Sequence, residues 1–136
     1  DWSSDVCSSD LVVIFNYPID ESQKFIKRVI GLPGETVEIR DGKIYIDSNP
    51  EPLVEDYLPE EWTVNNDGLF YKVPENAYFV LGDNRNISKD ARYWAGEALS
   101  LGLAETKEEA EKYTFVTDEQ LLGKAIFKYY PRFRLL

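Results

Sequence analysis

Apolar residues in this chain recur mostly in short runs with a period of two, separated by turn residues, which is the pattern of strands rather than helices. Val12–Tyr17 (VVIFNY) is the first run, closed by Pro18 and the polar stretch Asp20–Gln23. Phe25–Ile30 follows and stops at Gly31-Leu32-Pro33-Gly34, whose glycines and proline suit a tight turn. Thr36–Arg40 and Lys43–Asp47 flank Asp41-Gly42, a pair that favours a type I′ hairpin. Asn65–Gly68 marks another turn before Leu69–Val73, and Ala77–Leu81 reads as a buried strand that delivers Gly82-Asp83 at its end. A last strand, Gly123–Tyr130, is stopped by Pro131. Only Ala95–Lys112, rich in alanine, glutamate and leucine, breaks the pattern. There Thr106–Glu109 forms a capping box for a short helix through Lys112, and Gly102 separates it from an earlier helical turn at Glu97–Leu101. The pattern predicts a mainly β, antiparallel domain with a small helical insertion near 95–113.

One strand is anomalous. In Phe25–Ile30 side chains alternate between faces, so Phe25, Lys27 and Val29 share one and Ile26, Arg28 and Ile30 the other. Each face then carries a charge between two large apolar groups, a costly place for an unpaired ammonium. Lys27 is therefore a candidate for a lysine held neutral, and a neutral lysine is a base.

Composition narrows the chemistry. The chain has 136 residues, 43% of them hydrophobic, enough for one domain with a substantial core. Its formal net charge of −10 argues against nucleic acid, which needs a basic surface. Part of that acid lies in residues 51–67, where Glu51, Glu55, Asp56, Glu60, Glu61 and Asp67 occur with no lysine or arginine, and which reads as a solvated acidic loop. One cysteine and no histidine remove disulfide frameworks, Cys/His zinc sites and His-based triads. No metal or cofactor is expected. Gly82-Asp83 could suggest a carboxylate metal loop, but Arg85 and Arg92 disfavour a cation there.

Residues 1–11 (DWSSDVCSSDL) lack strand or helix periodicity and resemble one reading frame of a sequencing-library adaptor. They are set aside as a non-native tail, so Cys7 says nothing of redox compartment and their serines are not candidate nucleophiles. The domain of interest is then residues 12–136, with an insertion at 95–115.

Phe25–Glu35 (FIKRVIGLPGE) followed by Gly82–Trp94 (GDNRNISKDARYW) resembles the type I signal peptidases, membrane-tethered serine proteases that remove signal peptides from exported preproteins. VVIFNYP before the first motif and GKAIFKYYP after the second resemble the family's flanking segments. The resemblance implies Lys27 as general base, Arg28 as its companion, and Ser88 as the serine that contacts and orients the lysine. It implies Asp83 and Arg85 as residues holding the second motif around the site, with Asp90 and Arg92 as a supporting salt-bridged pair. Ala91 departs from the serine usual at its position, beside the supporting pair rather than at the base. The family's nucleophilic serine belongs to a Ser-(Gly/Glu)-Ser-Met-x-Pro segment upstream of the lysine strand, and this chain contains no methionine. The expectation is a partial catalytic domain, inactive as it stands, whose parent carries the nucleophile and a membrane anchor. That parent would sit in the bacterial cell membrane with its catalytic domain on the extracytoplasmic side.

The chemistry is self-consistent. A serine hydroxyl needs a base within about 2.6–3.2 Å. An exposed lysine of pKa ~10.4 is neutral only about one part in a thousand near pH 7, and burial can lower its pKa by up to about 3–5 units. Ser88 would orient such an amine without adding the negative charge that restores the ammonium. Two other classes compete: a Ser/Lys self-cleaving repressor-type domain, and a non-catalytic β-rich binding module using the acidic segment. Asp83, Arg85, Asp90 and Arg92 fit structural ion pairs better than chemical participants, and Trp94, Tyr129 and Phe133 fit either core packing or membrane contact.

Overall fold

The computed structural model describes residues 11–124. Among the described residues, eight strands form two antiparallel sheets. In the larger sheet β1 (Val12–Asn16), β2 (Lys24–Gly31), β6 (Ala77–Leu81), β7 (Val116–Thr117) and β8 (Leu121–Lys124) lie in the order β7-β6-β2-β1-β8. The smaller sheet has the order β4-β3-β5, from β3 (Thr36–Arg40), β4 (Lys43–Ile46) and β5 (Phe70–Lys72). The expected hairpin joins β3 to β4, with Asp41 and Gly42 at φ of 50° and 68°, the double left-handed conformation of a type I′ turn.

Gly31 links the two sheets. It ends β2 where the β2–β6 register shifts, and a methyl group there would come within 2.7 Å of Val37 Cγ2 and 2.9 Å of Val73 Cγ2. The close approach lets Val37, Ile39, Ile44 and Val73 of the smaller sheet share one core with Val29, Ile30, Phe79 and Leu81 of the larger. Gly34, at φ of 84°, then returns the chain by donating its N–H to Val73 O at 2.9 Å.

The helical region starts earlier than the sequence pattern suggests. Helix α1 spans Ala91–Ser100, so the end of the second motif is itself the helix's first turn. Asp90 is its N-cap, accepting from Arg92 N at 3.2 Å. The capping box at Thr106–Glu109 opens α2 (Lys107–Glu111), and a 3₁₀ turn follows at Lys112–Thr114. Gly102, at φ of 76°, ends the first helical stretch as expected. Of the last expected strand, β8 contains Gly123 and Lys124; the remainder to Tyr130 lies outside the described residues, as do Tyr129 and Phe133. Trp94 is fully buried and packs with Phe15, Tyr17 and Phe25, with ring centroids 5.7–6.4 Å from its own, so it is a core residue that docks α1 on β1 and β2. No helix among the described residues is long and apolar enough to cross a membrane.

Candidate active site

Strand register brings the two motifs together. Arg28 pairs with Leu81 across the β2–β6 ladder, so the chain leaving β6 at Gly82 runs on beside Lys27. On the other edge of β2, Lys27 pairs with Val13 of β1. The lysine is thus in the middle of a sheet, 7% exposed, with its Nζ 5.8 Å from the Phe25 ring centre. Nζ donates to Ser88 Oγ at 3.1 Å, closing a contact between residues 61 apart in sequence. Burial pushes the Lys27 ammonium below its usual pKa; Asp90 and Asp83 pull the other way, and Arg92 reinforces the burial. The two carboxylates are themselves engaged by arginines, Asp83 by Arg28 and Asp90 by Arg92, and burial outweighs their pull on the amine.

Arg28, on the opposite strand face, makes two 2.7 Å bonds from Nε and Nη2 to the two oxygens of Asp83. This fork fixes the first residues of the loop to the strand that carries the lysine. Asp90 anchors the loop's other end. It accepts from Gly82 N at 2.9 Å and from Arg92 Nε and Nη2, both at 2.8 Å, with neither side chain of the pair exposed. One carboxylate thus caps α1 and ties the loop's two ends together. Between them Ser88 N donates to Asn84 O at 2.8 Å, a turn that aims the Ser88 side chain back at Lys27.

The acidic segment is not simply solvated. Glu55 reaches Arg85 at 2.7 and 3.1 Å, with the two side chains 6% and 1% exposed. Tyr57 lies under the Arg28 guanidinium at 3.9 Å, and Trp62 faces both Arg85 and Arg92 at 4.9 and 5.6 Å. Arg92 Nη1 also donates to Asn66 Oδ1 at 2.8 Å, while Asn86 Oδ1 accepts from Thr63 N and Val64 N. Residues 55–66 therefore form a strap across the motif loop. Glu51, Asp56, Glu60, Glu61 and Asp67 keep the exposed character expected of them. The reading missed the strap because composition averages one buried glutamate with five exposed acids. The only local signal was aromatic: Tyr57 and Trp62 are poor choices for a wholly solvated loop.

All seven candidate residues, Lys27, Arg28, Asp83, Arg85, Ser88, Asp90 and Arg92, are at most 9% exposed and fall within this one cluster. The sequence profile described as signal peptidase, peptidase S26, matches residues 4–130. The chain belongs to that family. The match begins inside the stretch set aside above as foreign. A probable signal peptidase I-1 of Synechocystis is 33% identical over 130 residues, covering 90% of this chain and 55% of its own length. A signal peptidase I of Bacillus amyloliquefaciens is 35% identical, covering 88% and 57% respectively. The chain thus spans about half the length of these relatives. A crystal structure of a signal peptidase I from Enterococcus faecalis superposes with a TM-score of 0.63 at 31% identity, over 88% of this chain and 96% of that one. The S26 chain is accordingly a signal peptidase relative in sequence and fold, mainly antiparallel β with two short helices.

Proposed function

We propose that this chain is the base-bearing part of a serine endopeptidase that cleaves signal peptides from exported preproteins by a Ser/Lys dyad. The observation that carries the reading is the buried contact of Lys27 Nζ with Ser88 Oγ, in surroundings that favour the neutral amine. A neutral Lys27 donates one N–H to Ser88 and so holds its lone pair in a fixed direction. That lone pair takes the proton of a serine hydroxyl as the hydroxyl attacks the scissile carbonyl, and the resulting ammonium gives the proton to the departing amine. Ser88 is the orienting group in this scheme, with Arg28, Asp83, Arg85, Asp90 and Arg92 maintaining the loop. The nucleophile we place in a segment of the parent enzyme that precedes β1, together with a membrane anchor that holds the site on the extracytoplasmic side, where preproteins emerge. On this reading the 136-residue chain alone does not turn over substrate.

Cleavage of a purified preprotein by the full-length enzyme, in detergent or vesicles, tests the reading. Lys27→Ala should abolish cleavage while leaving the domain folded by circular dichroism. Retained cleavage in that variant, or turnover by the 136-residue chain alone, would refute the assignment.

A further inference from the structure

Tyr57 joins two ion pairs that lie far apart in sequence. Its ring is 3.9 Å from the Arg28 guanidinium, which is forked onto Asp83. Its hydroxyl donates to Glu55 Oε2 at 2.7 Å, and Glu55 holds Arg85 through both carboxylate oxygens. Arg85 in turn donates from Nε to Gly82 O, on the residue before Asp83. These contacts close a circuit through Arg28, Tyr57, Glu55, Arg85 and Asp83. Burial and the Glu55 carboxylate push the Tyr57 hydroxyl well above its usual pKa, so it stays protonated and keeps donating.

The circuit straddles the lysine–serine contact. Arg28 follows Lys27 on β2. Arg85 lies inside the turn that Ser88 N closes on Asn84 O, so holding Arg85 holds the backbone that presents Ser88. The strap is itself pinned to the smaller sheet, where Leu53 N donates to Ile44 O of β4 at 2.8 Å. That sheet supplies none of the seven candidate residues, yet through the strap it grips both the strand bearing the base and the loop bearing its partner. A 3.1 Å contact between two separate segments is sensitive to their relative shift. Misplacement by about 1 Å can cost on the order of 10²-fold in rate.

Taking the Ser/Lys peptidase reading as given, we propose that Tyr57 and Glu55 are positioning residues that set the separation of Lys27 from Ser88 without touching substrate. Asp83 ties Arg28 to the loop ahead of the turn. Glu55 grips Arg85 within the turn, and Tyr57 links that grip back to the strand of the base. Loosening either residue lets the Ser88 hydroxyl drift from Nζ. The amine's lone pair then loses its fixed direction, which slows the chemical step and leaves preprotein binding as it was.

The test is a double-mutant cycle in the full-length enzyme, with Tyr57→Leu and Glu55→Gln each made in the parent and in Ser88→Ala, and cleavage of a purified preprotein measured. In the parent each substitution should lower kcat about tenfold with KM changed by less than about twofold. In Ser88→Ala, where there is no hydroxyl left to position, each should change kcat by less than about twofold. Loss of folded protein lowers kcat by a similar factor in both backgrounds, so misfolding does not mimic the coupling. If Glu55→Gln does not fold, Tyr57→Leu decides alone, because it leaves the charged members of both ion pairs in place. Equal losses in the two backgrounds, a loss carried by KM, or a parent kcat unchanged by Tyr57→Leu overturns the positioning role while leaving the peptidase reading intact. Failure of the unmodified enzyme to cleave any preprotein instead overturns the peptidase reading and the positioning role with it.

Discussion

Arg85 and Glu55 meet in a two-pronged ion pair of 2.7 and 3.1 Å, with side chains 1% and 6% exposed, although 30 residues separate them in sequence. Arg85 also donates from Nε to Gly82 O at 2.7 Å, so the pair couples the strap to the loop that presents Ser88. Removing one member of a buried pair leaves the other charge uncompensated, at a cost of about 3–5 kcal/mol. Glu55→Ala should therefore lower unfolding free energy by that amount in urea titrations. Glu51→Ala, at an exposed position of the same segment, should stay within about 0.5 kcal/mol of the parent. Equal, small shifts for the two would mean that the strap is not anchored by this pair.

Strand positions and the lysine itself were legible in the sequence because both depend on local alternation. Period two put Lys27 among apolar neighbours on one face of β2, and the Asp41-Gly42 turn set the β3–β4 register. What the sequence hid is long-range. Glu55 carries no mark distinguishing it from Glu60, because its burial depends on where Arg85 lands after the β2–β6 register is fixed. The start of α1 was misplaced for a different reason. Asp90 serves both as helix cap and as Arg92's partner, and reading Asp90 and Arg92 as an ion pair obscured the capping signal. Strand β7, two residues long, is too short for any periodicity to declare it.

Gly31 and Gly96 should respond in opposite directions to the same substitution. A methyl group at Gly31 would press on Val37, Val73 and Phe79 at 2.7, 2.9 and 3.1 Å, all in the core that joins the two sheets. Overpacking of this kind costs about 1–3 kcal/mol, so Gly31→Ala should lower the denaturation midpoint. Gly96 lies inside α1 with nothing within 4 Å of an added methyl group. Gly96→Ala should raise stability by about 0.5–1 kcal/mol through helix propensity alone. Thermal melts of the two variants beside the parent decide both, and a destabilised Gly96→Ala would contradict the open space at that position.

Ser88→Ala removes the hydroxyl that Lys27 Nζ contacts at 3.1 Å without touching the ion pairs that hold the loop. If the serine orients the base, kcat for preprotein cleavage by the full-length enzyme should fall about 10²-fold with KM little changed. Unfolding free energy should fall by no more than about 1.5 kcal/mol, the usual net worth of one hydrogen bond. A drop in activity matched by wholesale loss of structure would instead make Ser88 a folding residue.

Lys27 should make the domain's stability depend on pH in a direction that can be worked out. Burial lowers its folded-state pKa below the usual 10.5, whereas the unfolded chain restores it. Between the two values the unfolded state binds more protons than the folded one, so stability rises with pH across that interval. The penalty is fully expressed below the folded pKa and is gone above about 10.5, where both states hold a neutral amine. Lys27→Met, which keeps the aliphatic length and removes the charge, should therefore be free of this penalty at pH 7 while eliminating any activity of the full-length enzyme. The difference between variant and parent should shrink as pH rises toward 10.5. Urea denaturation of both proteins at a series of pH values from 6 to about 10 gives the curve directly. A stability difference that does not vary over that range would mean Lys27 titrates alike in the folded and unfolded chains, and its assignment as a neutral base would fall.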